Sequence, residues 1–542
     1  MVVPELRPWR AARPRVERIA NAVRPRLARA GAAARPRVAR LTRALLHPPR
    51  PRAVQTWQYT AGAATAGLLL AAGVVTTAGP WDADGQRTAE RDRAAALERT
   101  GGADHGRSGT TAGTPRPAPS AAPVLMGLDG ATSAVDTKKA APGGKPLSDV
   151  LRPLLGASAL GGTHAAAVVD VATGRRLYGT DAGKALTPAS TTKIATAVAA
   201  LSALGPDHRF TTRAALEPDT GELVLVGGGD PTLTARAKAA GTSRSGEAGS
   251  GEGWAGLREL AADTAKALHK RGIRKVTLSY DTTLYSGPAL HPIGVNDNLA
   301  PVSALMADEG RTDGSSSGPA PRVSDPAKDA AGKFAGFLKD AGITTTSPGP
   351  SKASTRAQTL ATVSSPPLSE VVERMLTNSD NDIAEALARQ TALTSGEPGS
   401  FDGGARAISA RLTKLGLPMS GASFHDGSGL DRDDRLTADL LTALLVTAGD
   451  PGRPGLRPVL TGLPVAGFTG TLADRYTTDS AAGVVRAKTG TLTGVNTLAG
   501  TVVDADGRLL AFAFMASGTT DPLGAESALD RTATALAGCG CG

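Results

Sequence analysis

The sequence has little of what many functional sites are built from. It holds two cysteines among 542 residues, Cys539 and Cys541, both in the terminal Gly-Cys-Gly-Cys-Gly. A Cys-x-Cys pair with no histidine nearby is a poor metal site, so this end reads as an unstructured tail, and the folded region has no disulfide framework. That bears neither for nor against export. The seven histidines are scattered and form no His-Glu-x-x-His or other metal-ligand spacing. No Gly-x-x-x-x-Gly-Lys-Ser/Thr phosphate loop occurs, and the glycines of Gly227-Gly-Gly229 read as chain reversal. Neither a metal nor a cofactor is expected.

Charge is also absent where it tells most. Trp57 to Pro80 carries none, and its centre, Ala61 to Gly79, is small and apolar. About 20 such residues span a bilayer. Residues 1–56 hold fourteen arginines against two glutamates, so the net charge of +10 resides in this leader. An arginine-rich flank predicts that its side is cytoplasmic. The basic residues are thus not concentrated in the folded part, which argues against nucleic acid as a partner. Residues 1–56 read as a basic cytoplasmic leader and 57–80 as an uncleaved transmembrane signal-anchor. Small residues near Ala78 and Gly79 leave open a cleaved signal peptide, which would make the protein secreted. Residues 81–145 turn rich in Gly, Ala, Pro, Ser and Thr, with a Pro-rich part from Thr114 to Pro123. Such a composition cannot bury a core, so the stretch reads as a disordered, flexible tether.

The folded part begins near Pro146. His164 to Asp170 reads as a strand, a second begins at Leu177-Tyr178, and Ile194 to Leu204 reads as a buried amphipathic helix. Gly221 to Val226 is strand-like, Gly241 to Gly253 a mobile polar loop, Leu257 to Lys270 a helix, and Arg274 to Tyr280 a strand. Leu368 to Leu376 and Ile383 to Gln390 are helical, Phe424 to Leu430 is a Gly-rich loop, and Thr437 to Ala448 is helical. Val484 to Lys488, Thr497 to Asp504 and Arg508 to Met515 alternate as strands. Joined by turns, they suit an antiparallel sheet.

Chemistry enters at Ser190-Thr-Thr-Lys193. Pro188 suits the helix entry, and a spacing of three puts Ser190 and Lys193 on one face. A serine hydroxyl is a weak nucleophile until something takes its proton. A lysine amine can do so if burial or a nearby cation lowers its pKa from about 10.4 toward roughly 7–8. Alone, the tetrapeptide is equally a helix start with an exposed lysine. Two further stretches change its weight: Asn378-Ser379-Asp380-Asn381 between two apolar segments, and Ala487-Lys488-Thr489-Gly490-Thr491 before a strand. Ser-x-x-Lys, Ser-x-Asn and Lys-Thr-Gly each occur once, in the order found in penicillin-binding proteins and related β-lactamases. His425 beside Asp426 invites a triad reading, but a loop-packing role is preferred. Asp380 is assigned only local help.

On these residues the chain resembles the D-alanyl-D-alanine carboxypeptidases of the class C low-molecular-weight penicillin-binding proteins, peptidase family S13. Leu225-Val-Gly-Gly-Gly-Asp-Pro-Thr232, Pro301-Val-Ser-Ala-Leu305 and Asp426-Gly-Ser-Gly-Leu430 also resemble family stretches, over about residues 146–537. The resemblance implies an α+β fold: a penicillin-binding-protein/β-lactamase-like transpeptidase domain, an antiparallel sheet flanked by helices. Residues 146–213 and 351–542 would form this catalytic domain, and 214–350 a large inserted domain.

The roles the resemblance implies are these. Ser190 attacks the carbonyl between the terminal D-alanines, Lys193 accepts its proton, and Ser379 relays a proton from Lys193 or Lys488 to the leaving amine. Asn381 hydrogen-bonds the substrate backbone, and Lys488 and Thr489 hold the terminal carboxylate. Gly490 lets the strand approach the substrate, and the N–H groups of Ser190 and Thr491 form the oxyanion hole. Expected partners are peptidoglycan stem peptides, β-lactam antibiotics as covalent inhibitors, and the cytoplasmic membrane through the anchor, with the catalytic domain extracytoplasmic. D,D-endopeptidase activity is an added expectation. The competing readings are a serine β-lactamase, for which no dedicated deacylating Glu stands out, and a non-catalytic cell-wall-binding protein, which would not need an intact nucleophile set.

Overall fold

The computed structural model describes residues 146–236 and 254–540. The predicted leader, anchor and tether all lie outside the described residues, as do Cys541 and the loop from Gly241 to Gly253. Among the described residues no helix is long and apolar enough to cross a membrane.

The chain opens with α1 (Leu147–Leu155), then the hairpin β1 (Thr163–Asp170) and β2 (Arg176–Thr180), then α2 (Thr192–Leu204). Next come β3 (Thr211–Leu216), β4 (Leu223–Val226), α3 (Leu257–Lys270), β5 (Lys275–Val276) and β6 (Leu278–Asp281). Then follow α4 (Pro326–Asp340), β7 (Thr344–Thr345), β8 (Gly349–Pro350) and β9 (Gln358–Ser364). Four helices succeed them: α5 (Leu368–Asn378), α6 (Asn381–Thr394), α7 (Phe401–Lys414) and α8 (Ala438–Gly449). The chain closes on β10 (Arg486–Leu492), β11 (Val495–Val503), β12 (Leu509–Ser517) and α9 (Pro522–Ala537). The stretch from Arg274 to Tyr280, expected as one strand, divides at Thr277. Its first part pairs with β7, its second with β4 and β8.

The first and last strands form one antiparallel sheet in the order β10-β11-β12-β1-β2. Successive side chains of a strand point to opposite faces, and β12 shows the consequence. Its Ala511, Ala513 and Met515 join a core containing α2, α5, α6 and α8. Its Leu510, Phe512, Phe514 and Ala516 join a second core with α1 and α9. The face toward α2 is lined with alanines from β1, β11 and β12, so α2 can lie close to the sheet. Every residue from Thr192 to Leu201 is buried. The helix is therefore buried on all sides, not amphipathic, as a helix apolar all round should be. The spacing of Ile194, Val198, Leu201 and Leu204 marks one face, but the alanines between Ile194 and Leu201 are buried as well.

A second sheet, in the order β8-β6-β4-β3-β9, mixes antiparallel and parallel pairs and packs with α3 and α4 around its own core. The C-terminal stretch departs from the expected loose tail. Cys539 is buried, disulfide-bonded, and its carbonyl accepts the Ala505 N–H. The reason is its place directly after α9, whose apolar face carries it into the second core.

Candidate active site

The turn that carries Ser190 is a short 3-10 segment, Ala189–Thr191, leading into α2. Ala189 is fully buried with φ of 49°, the left-handed region that a residue with a Cβ enters at a cost of roughly 1–2 kcal/mol. The Pro188 carbonyl holds the turn down, accepting the hydroxyls of Thr191 (2.7 Å) and Thr497 on β11 (2.9 Å). Two glycines make room. A Cβ on Gly490 would lie 2.1 Å from Thr497 Oγ1 and 2.7 Å from the Pro188 oxygen, and one on Gly429 would lie 1.9 Å from the Ala189 oxygen. The Lys-Thr-Gly strand, the Gly-rich loop and the serine turn are thus pressed backbone to backbone.

Lys193, in the first turn of α2, is completely buried. Its Nζ donates to Ser190 Oγ (2.9 Å), Asn381 Oδ1 (2.6 Å) and the Ser428 carbonyl (2.7 Å). Burial lowers its pKa to about 8, against the pull of Asp426, Glu385, Asp380 and Asp434. That leaves roughly a tenth of the amine in its neutral, proton-accepting form at pH 7, far more than an ordinary lysine would have.

Asn381 is the first residue of α6, whose N-cap is Asp380 through a bond from the Ile383 N–H (3.0 Å). Asn381 Nδ2 donates to the Asn298 carbonyl (2.9 Å), which fixes the amide with its oxygen toward Lys193. Ser379 closes α5 in the left-handed region, φ 58°. Its position between two helices is the one expected, yet its hydroxyl makes no hydrogen bond among the described residues. Catalytic bonds are often long or unmade without substrate.

On β10, Lys488 is completely buried and its Nζ donates to the Thr489 carbonyl (2.8 Å). Burial, and then the charge of Lys193, hold its pKa well below the ordinary lysine range. The Thr489 hydroxyl pairs with that of Thr471 (3.0 Å), a residue the sequence gave no reason to single out. The Thr491 hydroxyl turns toward Glu526 on α9 (3.3 Å). The structure therefore brings Ser190, Lys193 and Asn381 into direct contact, and sets β10 against the same turn through Gly490.

Behind Lys193 lies a buried polar cluster that sequence reasoning missed. Asp426 accepts N–H groups from Ser428, Gly429 and Asp431 and bonds the Nε2 of His291 (3.1 Å). Its histidine partner is thus His291, 135 positions away. The adjacent His425 is exposed, and only its backbone N–H is tied, to Asp434 (2.7 Å). Burial works against ionisation of Asp426, but the His291 and amide bonds outweigh it and hold the carboxyl below its usual range. Glu385 on α6 accepts from Gly427 and Ser428, and burial beside Asp426 pushes it up to about 7. Only the Asp426-Gly-Ser-Gly loop was visible as a signal. Asp380 reaches further than its cap: it neighbours the buried Glu309, which burial and the charges of Asp380 and Asp382 push well above the usual range.

Comparison with known proteins gives this arrangement its context. The D-Ala-D-Ala carboxypeptidase 3 (S13) family matches residues 148–320 and 312–536. The chain belongs to that family. Carboxypeptidase DacB of Mycolicibacterium smegmatis is 39% identical over 387 residues, covering 69% of this chain and 80% of the relative. The D-alanyl-D-alanine carboxypeptidase of an Actinomadura species is 30% identical over 442 residues, covering 67% and 79%. Penicillin binding protein 4 of Haemophilus influenzae, also solved complexed with a β-lactam, shares the fold: TM-score 0.56 at 22% identity, over 70% of this chain and 97% of that one. The S13 membership and this neighbour establish the penicillin-binding-protein/β-lactamase-like fold.

Proposed function

We propose that this S13 carboxypeptidase removes the terminal D-alanine of peptidoglycan stem peptides through an acyl-enzyme on Ser190. Family membership supplies the reaction class, a serine-type D-Ala-D-Ala carboxypeptidase. The observation that carries the residue assignment is the 2.9 Å contact between a fully buried lysine amine and the Ser190 hydroxyl. Ser190 Oγ attacks the penultimate D-alanine carbonyl as its proton passes to Lys193. The proton then goes to the leaving nitrogen by way of Ser379, and D-alanine departs. Water hydrolyses the resulting ester by the reverse proton path. Asn381 aligns the substrate backbone, Lys488 and Thr489 receive the terminal carboxylate, and Gly490 lets β10 lie close. The Ser190 and Thr491 N–H groups polarise the carbonyl, a contribution on the order of 3 kcal/mol per donor. The same site would open a cross-link as a D,D-endopeptidase and be acylated by β-lactams. The purified protein is expected to release D-alanine from a peptide ending in D-Ala-D-Ala. Rapid, repeated release of hydrolysed penicillin without D-alanine release would favour a β-lactamase instead.

We further propose that residues 146–213 and 351–542 form the catalytic unit and 214–350 an insertion. The second sheet, with a core of its own, supports an insertion, although its strands β3 and β9 reach past both bounds, from Thr211 to Ser364. The uncharged stretch from Trp57 to Pro80 would anchor the chain, with residues 81–145 as tether and the catalytic unit outside the cytoplasmic membrane. Protease added to wall-free intact cells should then release the part from about residue 146 onward. Full protection of that part would contradict the orientation.

A further inference from the structure

A lysine ammonium has three N–H groups, and a neutral amine has two and one lone pair. Around Lys193 Nζ, Asn381 Oδ1 and the Ser428 carbonyl oxygen can only accept. Both take an N–H whatever the protonation state. The third position faces Ser190, and in the neutral amine it is the lone pair. The direction of that lone pair therefore depends on two fixed acceptors. Asn381 is fixed by Asn298. The Ser428 carbonyl belongs to a loop, and what fixes the loop is buried charge.

Glu385 lies one turn along α6 from Asn381, on the same face. Its Oε1 accepts from the Gly427 N–H (3.0 Å) and the Ser428 N–H (2.8 Å), while Oε2 makes a longer bond to Gly427 (3.2 Å). Asp426 holds the other side of the loop, itself steadied by His291, whose Nδ1 accepts the Ile293 N–H. The Thr196 hydroxyl ties the Gly427 carbonyl to α2 (2.6 Å). One helix thus sets both acceptors, Asn381 directly and Ser428 through Glu385. We propose that Glu385 is a positioning residue for acylation: through the amides of Gly427 and Ser428 it aims the Ser428 carbonyl, and so turns the Lys193 lone pair onto Ser190.

The inference rests on the reading of Lys193 as proton acceptor. Charge acts alongside position. Glu385, Asp426, Asp380 and Asp434 all draw a proton onto Lys193, whose charge in turn lowers the pKa of Lys488. Glu385 itself is faced by Asp426, Asp434, His291 and Arg389. Position and charge can be separated by substitution. In Glu385→Gln the amide oxygen can keep both Oε1 bonds, but the charge is gone. In Glu385→Ala both are gone.

The test is the rate of Ser190 acylation by a fluorescent penicillin from about pH 6 to about pH 10, in the full-length protein and in Glu385→Gln, Glu385→Ala and Lys193→Ala. Loss of a neighbouring negative charge lowers the proton affinity of Lys193. Glu385→Gln is therefore expected to move the acid limb to lower pH and to hold its plateau to within about tenfold. Glu385→Ala is expected to lose about a hundredfold in plateau, with KM for a D-Ala-D-Ala peptide moving far less than kcat. A plateau in Glu385→Gln as low as that of Glu385→Ala would overturn the proposal, and so would a wild-type plateau in folded Glu385→Ala. If Lys193→Ala acylates at the wild-type rate, the base reading itself fails and takes this inference with it.

Discussion

Replacing Asn381 by alanine should damage turnover more than it damages folding. The substitution removes the 2.6 Å acceptor of Lys193 Nζ and the donor to the Asn298 carbonyl. A hydrogen bond with a charged partner contributes about 1.5–3 kcal/mol. At about 1.36 kcal/mol per factor of ten, its loss in the transition state slows acylation by roughly 10- to 150-fold. Free rotation of the amine adds to that, because one of the two groups aiming its lone pair is gone. The helix itself should survive. Asn381 is the first helical residue, and the Asp380 cap on Ile383 remains. Alanine is the best helix former, and Asn298 is exposed, so water can replace the lost donor. The lost acceptor of buried Lys193 sets the stability cost, about 1–3 kcal/mol. D-Alanine release, penicillin acylation and urea unfolding on the same preparation decide the matter. Near-normal turnover would refute the assignment, and so would a loss of activity that merely tracks a loss of folded protein.

Three other outcomes follow from the geometry. Because burial lowers the folded Lys193 pKa to about 8 and only the neutral amine accepts a proton, acylation should rise with pH and be half-maximal near that value. A rise centred at the ordinary value of about 10.4 would contradict the burial argument. Gly490→Ala places a Cβ against Thr497 and the Pro188 carbonyl, which should cost about 1–3 kcal/mol of stability and, by displacing the serine turn, at least about tenfold in acylation. Unchanged melting and acylation would show that the strand and turn are not in register there. Arg389 is buried and its guanidinium donates to the carbonyls of Ser286, Pro288 and Gly399, so Arg389→Met should lower stability by about 3 kcal/mol or more. A coincident urea midpoint would contradict it.

The legible parts of the chain were those where a local rule and the tertiary structure agree. The helix Leu257–Lys270 occupies the residues its apolar spacing indicates, and β11 and β12 alternate because each buries side chains in two different cores. Ser190, Lys193 and Asn381 were legible because each sits in a short peptide whose spacing is itself chemical. The cluster behind them was not. His291, Glu385 and Asp434 come from three separate segments, and each looks ordinary in its own. The fold alone brings them to Asp426, and the neighbour that sequence offered, His425, points away to solvent. The split at Thr277 was equally hidden, since distant pairing partners on β4, β7 and β8 decide it. Alanine-rich α2 misled in the opposite direction, because alanine carries too little bulk to mark a face.

The claim on which the account turns is that Ser190 is the nucleophile, primed by Lys193. Brief exposure of the full-length protein to penicillin, followed by intact-mass measurement and peptide mapping, tests it most directly. The account predicts a single, long-lived acyl adduct on the peptide containing Ser190, sharply slowed in Lys193→Ala and absent from a folded Ser190→Ala protein. An adduct on any other residue, or undiminished labelling of Ser190→Ala, would contradict it.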